Sequence, residues 1–217
     1  MTDGDPHADQ PVVTAGAPAS VADAVVVLLH GRGATAQGVV NLAEPLYRHG
    51  VTFVAPDAAR SRWYPYSSFA PVERNEPHVS SALAAVDRVL ADVRDWGVSV
   101  EDVVLFGFSQ GAFLASEYAA RNPRRYGGVA ALSGGLLGEE VDSAAYDGSL
   151  GGAPVFLGVG DSDPNVPVER VHETAAMFRA LAGDVTERVY EGVGHEVTDD
   201  EFAVVGPWID GIVGDEA

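Results

Sequence analysis

Short, uninterrupted apolar runs alternate along this chain with longer stretches in which apolar positions recur every three or four residues. Ala24 to Leu29 holds no polar residue, and a Val-rich run of that length fits a strand buried on both faces. Val51 to Ala55, Val103 to Phe108, Val129 to Leu132, Val155 to Gly160 and Val185 to Tyr190 read as further strands. Between them, Val79, Leu83, Val86, Leu90 and Val93 fall at helical spacing, giving one apolar stripe. Val171, Ala175, Phe178 and Leu181 do the same, with Pro167 near the start of that helix. Helices are also expected directly after Ser109 and over Glu201 to Val213. Alternating strand–helix units with right-handed crossovers predict an α/β fold, a mostly parallel, doubly wound sheet with helices on both faces. The spacing leaves no room for a large lid domain. The expected organisation is one domain over residues 21–217, preceded by a flexible segment over residues 1–20. That segment is polar and rich in Ala, Pro and Asp, with Val12-Val13-Thr14 as a candidate edge strand. It lacks the basic start and apolar stretch of a secretory leader, and no apolar run is long enough to insert in a membrane.

One strand runs straight into reactive chemistry. After Val103 to Phe106, the chain reads Gly107-Phe108-Ser109-Gln110-Gly111 and continues as a helix. Gly-x-Ser-x-Gly between a strand and a helix predicts a strained turn that exposes the serine hydroxyl, with the helix N-terminus favouring developing negative charge. Without that context the pattern is only a glycine-rich turn. The context also demands an acid and then a histidine further along the chain. Asp161-Ser162-Asp163-Pro164-Asn165-Val166-Pro167 follows one strand as a polar loop, and His195 lies in the loop after the last strand. All three residues fall at the carboxyl edge of the predicted sheet, where open α/β folds place ligands. Ser109 needs a base to become a nucleophile, an imidazole is the side-chain type suited to that role, which points to His195, and a carboxylate behind it would fix its tautomer. Asp163, rigidified by Pro164, is the preferred carboxylate, and Asp161 is the alternative, suited to bonding local N–H groups. His30-Gly31-Arg32-Gly33 follows the first apolar strand. Such a turn supplies one backbone N–H to an oxyanion and the residue after the nucleophile supplies another, which nominates Arg32 and Gln110. The alternative is a plain βα turn, and the His30 side chain reads as packing. Trp63, Tyr64, Tyr66 and Phe69 crowd a Pro-containing loop after the strand ending at Ala55. Of these, Trp63, Tyr64 and Phe69 are candidate pocket residues, the alternative being that the aromatics only cover the sheet edge.

Leu28-Leu29-His30-Gly31-Arg32-Gly33, Gly107-Phe108-Ser109-Gln110-Gly111, Gly160-Asp161-Ser162-Asp163-Pro164-Asn165-Val166-Pro167 and Gly194-His195 together resemble the phospholipase/carboxylesterase family of α/β-hydrolases. That family includes acyl-protein thioesterases and small bacterial carboxylesterases. The resemblance spans about Val25 to Trp208 and implies the α/β-hydrolase fold, a Ser109–Asp163–His195 triad and cleavage of carboxylic esters through an acyl-enzyme. It implies a small ester substrate and no cofactor, and members of the family often form homodimers. Arg62 to Phe69 followed by Asn75-Glu76-Pro77 resembles a subgroup variously described as carboxylesterase, phospholipase or dienelactone-hydrolase-like, which does not fix a substrate. Acyl thioesterase and lysophospholipase are the rival activities on the same machinery. A dienelactone-type activity is disfavoured because that chemistry resembles a cysteine nucleophile. A non-catalytic small-molecule binder of the same fold would generally lack a triad member.

Charge changes the picture of the surroundings rather than of the fold. Against 32 acidic residues stand 13 basic ones, a net −19, and every basic residue is Arg. Carboxylates in excess with lysine absent are expected of a surface working in molar salt, where ions screen the repulsion. The expected setting is the cytoplasm of a salt-accumulating halophile, and the charge argues against nucleic acid or anionic membranes as partners. Cysteine is absent, which excludes disulfides, a thiol nucleophile and thiolate metal sites. The six histidines show no metal-ligand spacing, His172 reads as a solvated helix residue, and no phosphate loop or dinucleotide fingerprint follows any strand. If the surface is adapted to salt, the melting temperature should rise between low and molar KCl. A flat or falling Tm in a thermal melt would exclude the adaptation.

Overall fold

A computed structural model describes residues 4–214 of the chain. Seven strands form one sheet: β1 (Val12–Gly16), β2 (Ala24–Leu29), β3 (Val51–Pro56), β4 (Val103–Phe108), β5 (Gly128–Leu132), β6 (Pro154–Gly160) and β7 (Asp184–Tyr190). Their order is β1-β3-β2-β4-β5-β6-β7. Only β1 runs antiparallel to its neighbour, pairing with β3, and all other pairs are parallel. Five helices cover it: α1 (Ala36–Leu42), α2 (His78–Asp95), α3 (Gln110–Arg121), α4 (Val168–Ala180) and α5 (Asp199–Val213).

The continuous apolar runs follow from burial on two sides. In β2, Val25, Val27 and Leu29 point into the core beneath α2, α3 and α4, while Ala24, Val26 and Leu28 point into the core beneath α1 and α5. β4 divides in the same way, Val103 and Leu105 on one face, Val104 and Phe106 on the other. Side chains alternate across a strand, so a sheet covered twice needs apolar residues at every position. The stripe of α2 sits slightly differently from the expected one. Val79, Val86 and Val93 are buried together with Ala82, Ala85 and Val89, whereas Leu83 and Leu90 are only half-buried at its margin. Small residues on the buried face let the helix lie close to the sheet. The short α1 has no stripe to announce it and depends on Thr35, whose hydroxyl accepts the Gly38 N–H at 3.1 Å.

The N-terminal segment corrects one expectation. From Gly4 onward it is docked on the domain instead of hanging free; Met1–Asp3 and residues 215–217 lie outside the described residues. β1 adds the edge strand, and His7 is 2% exposed. Its Nε2–H donates to the Trp63 carbonyl at 2.9 Å, while its Nδ1 accepts the Ala59 N–H at 3.0 Å. Arg88 on α2 binds Asp5 at 3.0 Å and the His7 carbonyl at 3.0 Å. The physical reason is that one buried imidazole satisfies two backbone groups of a distant loop, and burial correspondingly pushes its pKa down.

A second buried polar group stands at the start of α5. Glu201 is 1% exposed, and its Oε2 accepts the Thr198 N–H at 2.7 Å, closing the first turn. Burial raises its pKa from 4.5 to about 7.

Two outcomes are expected. Deleting residues 1–10 strips the Trp63 carbonyl and the Ala59 N–H of their partners and should lower Tm by roughly 5–15 °C, read by calorimetry. For Glu201, the folded state holds the proton more tightly than the unfolded chain. The stability it contributes is therefore full below about pH 4.5 and lost as pH rises through about 7. Glu201→Gln keeps an acceptor for Thr198 and should flatten the fall in Tm between about pH 5 and pH 8, making the variant the more stable protein at the upper end.

Candidate active site

β4 ends at Phe108 and α3 begins at Gln110, so Ser109 alone makes the turn, at φ 56° and ψ −122°. A non-glycine residue held there stores on the order of 1–3 kcal/mol of strain, which the surroundings must impose. They do so by contact too close for side chains. A Cβ on Gly107 would stand 2.2 Å from the Gly111 carbonyl oxygen, and one on Gly111 would stand 1.9 Å from that of Leu29. The Ser109 N–H is fixed by the Leu132 carbonyl at 2.9 Å. Its hydroxyl is thereby pushed out at the carboxyl edge of the sheet, ahead of the N-terminus of α3.

The loops after β6 and β7 bring two more groups to the same place. His195 Nε2 lies 2.8 Å from Ser109 Oγ, and His195 Nδ1 lies 2.7 Å from Asp163 Oδ2. With the carboxylate as acceptor, the geometry fits the tautomer in which Nδ1–H donates to Asp163 and Nε2 turns its lone pair to the serine hydroxyl. The Asp163 side chain is fully buried. Its Oδ1 accepts the N–H groups of Asn165 at 2.7 Å and Val166 at 3.1 Å, so the carboxylate is both held and solvated by backbone. Asp161 does something else: its Oδ1 accepts the Gly192 N–H at 2.8 Å and so ties the acid loop to the histidine loop. The Phe108 ring lies 5.0 Å from the His195 ring and backs it.

Arg32 and Gln110 come together from the other side. Among the described residues, neither backbone N–H has a protein acceptor, as expected of a tight turn and of a first helical turn. Both side chains grip the aromatic loop. Arg32 donates to the carbonyls of Tyr64 at 3.0 Å, Pro65 at 3.1 Å and Tyr66 at 2.7 Å. Gln110 accepts the Trp63 N–H at 2.8 Å and donates to the Tyr64 carbonyl at 2.9 Å. The two residues thus meet on one oxygen. His30 is fully buried; its Nε2 accepts the Ala58 N–H at 3.0 Å, its own carbonyl receives the Trp63 indole N–H at 2.8 Å, and burial pushes its pKa down.

This bonding corrects the pocket expectation. Trp63 and Tyr64 are fully buried and face the protein, with Trp63 tilted against the rings of His30 and His7. They hold the loop and do not line the cavity beside Ser109. Phe69 does line that cavity, which measures about 340 Å³. Its remaining wall comes from Tyr66, Ser67 and Ser68 in the same loop, Phe113 on α3, and Asn165 and Val166 behind Asp163, alongside Arg32, Gln110, Ser109 and His195. The residues missed by sequence reasoning all adjoin motifs that were read, and adjacency was the one signal available. Phe69 meets Phe113 edge-on at 5.6 Å and carries the Arg170 guanidinium 5.0 Å from its other side. Arg170 is itself buried and donates to the carbonyls of Leu136, Gly138 and Glu139, each at 2.8 Å, which fixes the far wall. His172 is exposed on α4, against Glu187.

The comparisons bear on the family and the fold. The family model described as Phospholipase/Carboxylesterase matches residues 9–212. A phospholipase/carboxylesterase from Dyadobacter fermentans is similar at 40% identity and a TM-score of 0.89, over 93% of this chain and 96% of that one. The structure of esterase PE8 is similar at 27% identity and a TM-score of 0.72, over 94% and 98%. An acyl-protein thioesterase 1 from Kluyveromyces lactis is 30% identical over 82% of this chain and 87% of the relative. Among the described residues, no helix is long and apolar enough to cross a membrane. With an α/β-hydrolase sheet, a serine turn after its fourth strand and a matching model over nearly its whole length, this chain belongs to the phospholipase/carboxylesterase family of hydrolases.

Proposed function

We propose that the protein is a serine carboxylesterase acting on small esters of short acyl chains, with Ser109 as nucleophile, His195 as general base and Asp163 as its orienting carboxylate. The observation that carries this reading is the unbroken relay of hydrogen bonds at 2.8 and 2.7 Å from Ser109 Oγ through His195 to a buried Asp163. Ser109 Oγ attacks the ester carbonyl carbon while its proton passes to His195 Nε2. The carbonyl oxygen takes the negative charge and is received by the N–H groups of Arg32 and Gln110, each worth roughly 100- to 1,000-fold in rate. Collapse breaks the bond to the alcohol, which leaves with the proton from His195, and an acyl-Ser109 ester remains. Water, deprotonated by His195, then attacks that ester, and a second collapse releases the carboxylic acid and restores Ser109. Asp163 stays ionised throughout and stabilises the imidazolium.

Short acyl chains are favoured because the cavity of about 340 Å³ lies at the small end of ligand sites and the Phe69–Phe113 pair forms part of its wall. Thioesters are a second reading, supported by the acyl-protein thioesterase relative, since the same relay cleaves both. Hydrolysis of p-nitrophenyl acetate, butyrate and octanoate in molar KCl, beside a short acyl thioester, tests these together. Ser109→Ala should lose roughly 10⁴-fold or more in kcat with the fold intact. Acetate and butyrate should outrun octanoate. Equal rates in wild type and Ser109→Ala would exclude Ser109 as nucleophile, and a preference for octanoate would exclude the short-chain assignment.

A further inference from the structure

We propose that the esters this site takes carry a carboxylate of their own, received by the guanidinium of Arg32. The proposal rests on the serine-esterase reading above and names its substrate class.

The first observation is a distribution of charge. The chain has 32 Asp and Glu residues, yet none of those among the described residues lines the cavity beside Ser109. The nearest carboxylate in the relay, Asp163, is fully buried behind His195. Among the described residues, Arg32 is the one permanently charged side chain in the cavity wall. In a protein of net charge −19, the described wall of the cavity thus presents a cation and no carboxylate.

The second observation is how the arginines are partnered. Arg48, Arg88, Arg94, Arg121, Arg125, Arg170, Arg179 and Arg188 each meet a carboxylate. Among the described residues, Arg32, Arg60, Arg62, Arg74 and Arg124 have no such partner; Arg124 donates to the hydroxyls of Tyr118 and Tyr126, and the other four belong to the turn after β2 or to the aromatic loop and its continuation. Arg74 stacks on the ring of Tyr66 at 5.2 Å, and that half-exposed ring is part of the cavity wall. Of these, Arg32 itself lines the cavity and Arg74 lies against its wall, so the unpaired positive charge nearest the cleft is that of Arg32.

The third observation concerns Arg32 itself. Its three hydrogen bonds to carbonyls occupy three of five N–H groups, one on Nη1 and two on Nη2. Carbonyl dipoles hold the guanidinium in place without cancelling its unit charge. The Nε–H and the second Nη1–H remain as donors for a ligand oxygen. A guanidinium already ordered by the protein loses little further freedom on binding an anion. One guanidinium and a small cavity suit a carboxylate a few bonds from the scissile carbonyl, as in a hemiester of a short dicarboxylic acid. The second carboxylate would contact Arg32 in the substrate and remain there in the dicarboxylate product.

The test pairs two esters of equal length, mono-p-nitrophenyl glutarate and p-nitrophenyl valerate, corrected for spontaneous hydrolysis, at the lowest KCl concentration that keeps the fold. In wild type, kcat/KM for the glutarate ester should exceed that for the valerate ester by roughly fivefold or more. Arg32→Met should slow both, since the loop loses its clamp, but should also collapse the ratio by about five- to tenfold, chiefly through KM of the anionic ester. Arg32→Lys, which keeps the charge and loses the clamp, should restore most of the ratio. A wild-type ratio of one or below, or a ratio unchanged in Arg32→Met, overturns the proposal. If Arg32→Met fails to fold, glutarate should still compete with wild-type valerate hydrolysis at a lower concentration than glutaramide does, and equal competition overturns it. Hydrolysis of neither ester would instead sink the esterase reading, and calorimetric binding of glutarate against glutaramide would then decide the anion site alone.

Discussion

A single carbonyl oxygen, that of Tyr64, is the joint on which the site is assembled. Arg32 from the turn after β2 and Gln110 from the turn after β4 both donate to it. Those two turns lie on adjacent parallel strands, but nothing in the sheet alone dictates how they sit relative to each other beyond its edge. The loop between them supplies that constraint. Gln110 also takes the Trp63 N–H, the Trp63 indole reaches back to the His30 carbonyl, and Asn75 secures the Tyr66 N–H and the Ser67 carbonyl. A buried backbone must satisfy its polar groups, and here it does so with the side chains that frame the cavity.

That arrangement explains why two of the aromatic residues in the loop face inward. Trp63 and Tyr64 bring large apolar surfaces that anchor the loop, and their backbone groups are the ones the two turns hold. The cavity wall is left to the residues that follow, Tyr66, Ser67, Ser68 and Phe69. The docked N-terminus belongs to the same construction. His7 caps the Trp63 carbonyl from beneath, so the first described residues of the chain buttress a loop fifty positions away.

The opposite wall is held by charge buried in the protein. Arg170 is anchored on three carbonyls and lies over Phe69, while Glu117 on α3 accepts the Leu137 N–H at 3.1 Å and is paired with Arg121. In both walls the arginine spends its donors on backbone carbonyls. The difference is that Arg170 is enclosed and has Glu173 beside it, whereas Arg32 is exposed to the cavity with no carboxylate partner among the described residues.

The amino-acid sequence by itself determined the sheet and the reactive turn. Apolar runs bounded by polar loops state how many faces are covered, and the glycines flanking Ser109 state that backbone passes too close for a side chain, because both are local consequences of sterics and burial. The chain order of Ser109, Asp163 and His195 is likewise local, each following a strand of the sheet. What the tertiary structure decided were matters of direction and of contact between distant segments. Asp161 and Asp163 are two residues apart in one loop, and only the path of the β7 loop sets one against Gly192 and the other against His195. Trp63 and Phe69 look alike as pocket candidates until the turns that bind the loop turn one of them inward. His7 in a polar leader and Glu201 at a helix start carry no periodicity that announces burial; each is buried because a partner from elsewhere in the chain satisfies it.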